Sequence, residues 1–442
     1  MITHRRNAGS RSPGHRRLSV YTALLCLAVP IVSAADFHNL RDYGAVGDGK
    51  TLDSSAIDRA ISAACPMASN AEVFAEPKDL PIRVALPDPL INNAGIKVTS
   101  ADEWTLRRSE MIPILEHYAI GRMPPPPGNV AGHETDAQVL LDGKVTYRKV
   151  RLTFGPQQKL ILDLVILIPK SPDARLPTIV FPSSKPIPAA GEPGDGFARQ
   201  FELPLSRGYA VATSFYQQCA ADLPDARQTG FFPAYPDFDW GCLAAWAWGM
   251  SRCVDFLETQ PFADPTKFIA LGHSRLGKAA LIAGAFDARF ALTAPAGSGC
   301  GGTGAYRFNG KGRGGKEGLE DAVKRFPQWF APRLAEFSGQ VEKLPFDQHW
   351  LLALIAPRRV IISDGLADPY TNGNALAQSV LAAKPVYQLL GVPDRLGIHF
   401  RPGKHLLAPE DWLAILDFSE IQFFNRKIAR DFETLPASDQ LR

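Results

Sequence analysis

The chain has 442 residues, 45% of them hydrophobic, with 48 Lys and Arg against 45 Asp and Glu, a formal charge of +3. That content excludes a disordered or fibrous chain and is ample for one large α/β domain or two smaller ones. The positive balance is deceptive, because Arg5, Arg6, Arg11, Arg16 and Arg17 all precede an apolar run over residues 18–33. The run is short for a bilayer span, is interrupted by Pro30 and ends Val32-Ser33-Ala34. Those features predict a signal peptide over 1–34 and a secreted or periplasmic product. No acidic residue lies in 1–34, so losing its five arginines takes the charge from +3 to −2. A near-neutral mature chain offers no electrostatic case for nucleic acid, and no membrane partner is expected. Cys65, Cys219, Cys242, Cys253 and Cys300 would remain, an odd number that leaves at least one thiol unpaired within a monomer. Cys242 and Cys253 fall on one predicted helix, about 16 Å apart, too far to bridge each other. No Cys/His spacing resembles a zinc site, so neither metal nor cofactor is expected.

Taking the mature chain in order, Gly44 to Thr51 satisfies the P-loop spacing. A phosphate cradle needs a buried strand before that loop, and only a short polar stretch precedes Gly44. Nucleotide binding is therefore not expected. Residues 37–65 resemble the opening cap of the parallel β-helix in polygalacturonases and related pectin-degrading enzymes. The stacked repeats that such a fold requires do not follow. Residues 35–75 are read as an N-terminal extension without that activity.

From residue 76 the composition changes. Ser100 to Gly121 has a cap and apolar spacing suited to a helix, ended by the prolines at 124–127. Apolar or alternating runs at 149–154, 160–168, 178–181, 209–213, 268–271 and 360–362 predict strands. Helices are predicted over 244–257 and 412–424. Strands alternating with helices imply a mostly parallel sheet covered on both faces. The domain is placed at 76–430, with 431–442 as a C-terminal tail. The glycine-rich stretch 297–315 reads as an active-site loop, because later elements must return to complete the sheet.

The densest chemical signal is Phe268-Ile-Ala-Leu-Gly-His-Ser274-Arg275-Leu-Gly277-Lys278. An apolar strand, a glycine, a serine and an Ala-rich helix form the strand–nucleophile–helix arrangement of α/β-hydrolases. The predicted fold is therefore an α/β-hydrolase three-layer sandwich with a mostly parallel central sheet. The second glycine falls one place late, and Arg275 follows the serine, putting a cation where an oxyanion would form. Lys278 lies one helical turn from Ser274 on the same face. A serine nucleophile needs a base and an orienting acid, which in this fold follow in the order serine, acid, histidine. His273 should point away from Ser274, His349 reads as a helix start, and His399 as a strand interior. His405, in a loop before a helix, is the candidate base. Asp364 and Asp368 lie where a strand runs out into a loop, and either could reach it.

These motifs resemble the glucuronoyl esterases, carbohydrate esterase family 15. The resemblance rests on Gly272-His-Ser-Arg-Leu-Gly-Lys278, Leu86-Pro-Asp-Pro-Leu, Glu116-His-Tyr-Ala-Ile-Gly-Arg-Met-Pro and Ala244-Ala-Trp-Ala-Trp-Gly. Ser298-Gly-Cys-Gly-Gly, Leu344-Pro-Phe-Asp-Gln-His, Ala356-Pro-Arg and Arg401-Pro-Gly-Lys-His405 extend it. It spans roughly residues 76–428. It implies cleavage of esters between glucuronate on xylan and lignin alcohols, on glucuronoxylan or a lignin–carbohydrate ester. By the same resemblance Ser274 is the nucleophile, His405 the base, Arg275 the oxyanion stabiliser and Lys278 a sugar-hydroxyl ligand. Tyr370 stands where the family often places a sugar-contacting tryptophan. Glu317 and Glu320, on a helix after the glycine-rich loop, are further candidates for sugar hydroxyls, each against the alternative of a solvated helix face.

Two departures matter. Many members carry a catalytic glutamate just before the Ser-Gly-x-Gly-Gly loop, a position held here by Gly297. Some bacterial members place an acid after the later strand, and counting back from Pro385-Val-Tyr puts Asp368 on that position, favouring it over Asp364. The loop after Val180 also lacks the Asn-rich pattern common in relatives. An esterase for another cell-wall ester, such as acetyl-xylan, and a catalytically weakened carbohydrate-binding relative are the competing expectations.

Overall fold

The computed structural model describes residues 74–171, 173, 175–192, 194–310 and 317–441. The predicted signal peptide, nearly all of the 35–75 extension with its P-loop spacing, and Cys65 lie outside the described residues. The strands are Ala131–Leu140 (β1), Val145–Phe154 (β2), Leu160–Pro169 (β3), Leu176–Val180 (β4), Ala210–Ser214 (β5), Ala263–His273 (β6), Phe290–Ala296 (β7), Arg359–Gly365 (β8) and Leu396–Arg401 (β9). They form a single sheet in the order β1-β2-β3-β5-β4-β6-β7-β8-β9. The pairs from β1 to β5 are antiparallel, and those from β5 through β4 and β6 to β9 are parallel. The α-helices are Ala101–Leu115 (α1), Gly194–Arg199 (α2), Glu202–Ser206 (α3), Cys242–Leu257 (α4), Arg275–Phe286 (α5), Leu319–Arg325 (α6), His349–Ile355 (α7), Gly373–Leu389 (α8) and Pro409–Phe424 (α9).

The two-residue period of a strand divides the core between the sheet's faces. Phe268 and Ala270 of β6 pack with α4, α5, α7 and α8. Their neighbours Ile269 and Leu271 pack with Ile415 and Phe418 of α9. Val211 of β5 and Val165 of β3 meet Phe201 and Leu205 around α3. The result is the three-layer sandwich that the sequence predicts. Ser100 caps α1 by accepting the Glu103 amide at 3.2 Å, and α1 runs on into a π-helical turn over Glu116–Ile120. Residues past 430 do not hang free. Phe432 packs 5.2 Å from Phe418, ring centre to ring centre, and the Leu441 carbonyl accepts the Asn374 amide.

All six predicted strands and the helices predicted over 100–121, 244–257 and 412–424 are present, while β1, β7, α8 and the short α2 and α3 are additional. β1 is almost wholly exposed and so carries no buried alternation. β7 contains Pro295 and three alanines, which weaken its strand signal. Pro385 lies inside α8 and reads as a breaker.

Candidate active site

The parallel strands deliver their C-terminal ends to one rim, where α/β folds place their chemistry. Ser274 lies there, between β6 and α5, with φ 59° and ψ −126°. A non-glycine residue at positive φ is strained and persists only where its surroundings enforce it. Two glycines provide that enforcement. A Cβ on Gly272 would stand 2.1 Å from the Leu276 carbonyl oxygen, and one on Gly277 would stand 2.8 Å from that of Ala296. The displaced second glycine is thus the place where α5 touches the end of β7. The Ser274 amide donates to Ala296 O at 2.9 Å, locking the turn onto the sheet.

His405 stands beside it, with Nε2 2.9 Å from Ser274 Oγ and Nδ1 2.6 Å from Asp368 Oδ2. Asp368 is 3% exposed, and its Oδ1 accepts the amides of Tyr370 at 2.8 Å and Thr371 at 3.3 Å. Burial alone would raise the pKa of Asp368. The bond from His405 and the two amides outweigh it, so the carboxyl sits below its ordinary value and carries charge. Of the two candidate acids, Asp368 therefore meets the histidine. Asp364 lies behind it, buried at the end of β8. Its Oδ1 accepts from Gly365 N at 2.8 Å and Thr371 Oγ1 at 2.9 Å, while Oδ2 has no partner. Burial, and then Asp368, push it up to about 7.

Gly297 adopts φ +52°, and a Cβ there would stand 3.5 Å from His405 Cε1 and 3.1 Å from His273 Nε2. A longer side chain at this position would reach the histidine. The ring of His273 lies behind that of His405, centroids 4.6 Å apart, and does not approach the serine as a second base. Burial, then the proximity of His405, hold its pKa down to about 4, so it stays neutral.

A cleft of about 300 Å³ opens over Ser274, lined by Arg275, Lys278, Glu317, Trp329, Tyr370 and His405 among others. The Arg275 guanidinium stands 5.2 Å from the Trp329 ring centre and pairs with Asp222. The Asp222 side chain is itself buried, beside Arg275 and Trp329. Its Oδ1 accepts from Trp329 Nε1 at 2.7 Å and Gln328 Nε2 at 2.9 Å, and its Oδ2 accepts from Tyr216 Oη at 3.3 Å. Sequence reasoning missed Asp222. It sits in the loop after β5 with no local pattern around it, and only the fold carries it to Arg275. Lys278 is 5% exposed, and its ammonium donates to the Ser298 carbonyl, leaving further donors for the cleft. Burial lowers its pKa.

The outlying candidates divide. The Tyr370 ring meets that of His405 edge-on at 5.0 Å and is 56% exposed, open to a ligand. Glu317 lines the cleft, though just before α6 rather than on it, and pairs with Arg325 at 3.3 Å. Glu320 lies elsewhere. It is not among the residues lining the cleft, because α6 turns it away, and its Oε1 instead accepts the Gly339 amide at 2.9 Å. Cys219, Cys242, Cys253 and Cys300 are free and buried, and burial raises all four thiols, which removes them as nucleophiles. Among the described residues, no group of three or more His, Cys, Asp or Glu is placed to hold a metal ion.

A serine on a strained strand–helix turn, with a carboxylate and a histidine on the two later loops, defines an α/β-hydrolase. Known proteins narrow the class. The family profile described as "Glucuronyl esterase, fungi" matches residues 174–391. Carbohydrate esterase MZ0003, from an unknown prokaryotic organism, is 31% identical over 411 residues, covering 79% of this chain and 93% of that protein. The 4-O-methyl-glucuronoyl methylesterase of Schizophyllum commune is 32% identical over 352 residues, 77% of this chain and 82% of the relative. Among solved structures, the glucuronoyl esterase from Solibacter usitatus matches with a TM-score of 0.70 at 30% identity, over 78% of this chain and 100% of that one. The chain belongs to the glucuronoyl esterases, carbohydrate esterase family 15.

Proposed function

We propose that the protein hydrolyses esters of glucuronic or 4-O-methyl-glucuronic acid on xylan, releasing a lignin-type alcohol through an acyl-enzyme on Ser274. The observation that carries this reading is the continuous chain from Ser274 Oγ through His405 to Asp368, at 2.9 and 2.6 Å. Oγ attacks the ester carbonyl as His405 Nε2 takes its proton, and Asp368 stabilises the resulting imidazolium. The oxyanion forms at the start of α5, where the Arg275 amide has no intrahelical partner. Such donors contribute about 3–4 kcal/mol each. The Arg275 guanidinium adds positive charge from the same side. Collapse of the tetrahedral adduct breaks the ester C–O bond, and His405 returns the proton to the departing alcohol. Water, deprotonated by His405, then frees the uronate and restores Ser274. Lys278, Glu317 and Tyr370 meet the sugar ring along the cleft. The arginine-rich, apolar N-terminus supports export, consistent with a polymeric substrate outside the cytoplasm.

The test is hydrolysis of the benzyl ester of glucuronic acid beside an acetyl ester, by the wild type and Ser274→Ala. Uronate-ester cleavage that is lost in the variant is expected. Cleavage of the acetyl ester alone would make the enzyme a different esterase, and no cleavage of either would leave a carbohydrate-binding role.

A further inference from the structure

The loop that carries His405 has little packing of its own. Pro402, Gly403, Lys404 and Leu406 are all exposed, and only Arg401 beneath them is buried, at 5%. Arg401 ends β9, and the chain folds around its guanidinium. Nη1 donates to the Pro402 carbonyl at 3.2 Å, and Nη2 donates to the Lys404 carbonyl at 3.1 Å and to that of Leu406. The last two carbonyls flank His405. Gly403 makes the wrap possible, at φ +116°, where a Cβ would stand 2.8 Å from Arg401 Nη1.

The guanidinium is fixed in turn. Its Nε donates to Asp411 Oδ2 at 2.6 Å, an ion pair with side chains 5% and 1% exposed. Asp411 also accepts the Ala408 amide at 2.7 Å and the Ser363 hydroxyl, which ties α9 to β8. The loop bearing Asp368 hangs from the same unit. Leu366 N donates to Arg401 O at 2.9 Å and Ala367 N to Gly403 O at 3.0 Å. A planar fork with five donors can span separate acceptors at fixed angles, which an ammonium cannot do.

We propose that Arg401 is a positioning residue for catalysis: its guanidinium, anchored on Asp411, holds the carbonyls on either side of His405 and so sets the imidazole between Ser274 and Asp368. This rests on His405 being the base, and it accounts for the arginine and glycine of the Arg401-Pro-Gly-Lys-His405 motif. Misplacing a catalytic group by about 1 Å costs on the order of 100-fold in rate. A fork that only stabilised the fold would leave the turnover of folded enzyme untouched.

The experiment measures kcat and KM for benzyl glucuronate with wild type, Arg401→Lys, Arg401→Ala and His405→Ala, well below each protein's Tm and with folding checked by circular dichroism. Arg401→Lys keeps the charge beside Asp411 and loses the fork. It is expected to lose about 10- to 100-fold in kcat with KM within about twofold. Millimolar methylguanidinium is expected to restore part of the kcat of Arg401→Ala and none of that of His405→Ala. Folded Arg401→Lys with kcat within about threefold of wild type would overturn the proposal, as would a loss confined to KM or to Tm. Should Arg401→Ala fail to fold, Arg401→Lys decides alone. Wild-type kcat in His405→Ala would instead remove the base itself, a failure separate from that of the brace.

Discussion

The turn carrying Ser274 is held by backbone, and the loop carrying His405 is held by buried side chains, although the two residues stand 2.9 Å apart. At the serine, the constraint is local: a positive φ, two glycines with no room for a Cβ, and one amide bond to β7. At the histidine it comes from side chains on three elements, Asp368 beyond β8, Arg401 at the end of β9 and Asp411 in α9. A local constraint fixes one atom tightly whatever the surroundings. A constraint built from side chains fixes several groups relative to one another and fails in steps as partners are removed.

The comparison can be broken from either end. The largest effect belongs to Ser274→Ala, where loss of the hydroxyl is expected to lower kcat by roughly 10⁵- to 10⁶-fold, as for other triad serines. Because the turn is made by its neighbours, Tm should stay constant or rise slightly as the strained residue loses its polar group. A clear fall in Tm would mean that the hydroxyl helps to hold the turn. Next in size is Asp222→Asn. It weakens the ion pair that aims Arg275 while leaving three neutral hydrogen-bond partners nearby. A loss of about 10- to 100-fold in kcat/KM is expected, the range of a single oxyanion-side contact or less. Unchanged kinetics would show that the Arg275 guanidinium does not act on the reacting ester.

The smallest effect sharpens the contrast between the two acids. Asp364 is pushed up to about 7, so between its ordinary value of 3.8 and 7 the folded protein holds a proton that the unfolded chain has released. Its contribution to stability is complete below about 4 and is lost as pH rises through about 7. Glu116, also pushed up to about 7 by burial, acts in the same window. Asp368, held down, works oppositely and costs stability only as pH falls through its folded value. His273 and His349, both held down to about 4 by burial, act with the opposite sign below the ordinary histidine value, so in melting curves from pH 5 to 8 the stability of wild type should rise less, or fall more, than that of Asp364→Asn. Parallel slopes would contradict the assignment of Asp364 as the neutral member.

This division also decides what was legible in the residues. Ser274, His405 and the sandwich follow from local patterns: an apolar strand ending in a glycine, a loop histidine before a helix, and alternation along β6. The glycine at 277 looked like a departure and proved to be a packing requirement against Ala296. Asp222 and Asp411 carried no such signature, and Arg401 stood in a motif that does not show what its guanidinium holds. A carboxylate 53 positions away from the arginine it holds is invisible until the fold brings the loop after β5 to the start of α5. For Glu320 the sequence left a cleft role and a helix-face role open, because helical spacing does not say which way a short helix is turned.

The central claim is that the charge relay's acid has moved to Asp368, with Gly297 vacant of any carboxylate and Asp364 a bystander. Steady-state hydrolysis of benzyl glucuronate by Asp368→Asn and Asp364→Asn, side by side, tests it most directly. Loss of about 10³- to 10⁴-fold in kcat for Asp368→Asn, with Asp364→Asn within about tenfold of wild type, is the predicted result. The reverse order, or equal and small losses in both, would contradict it.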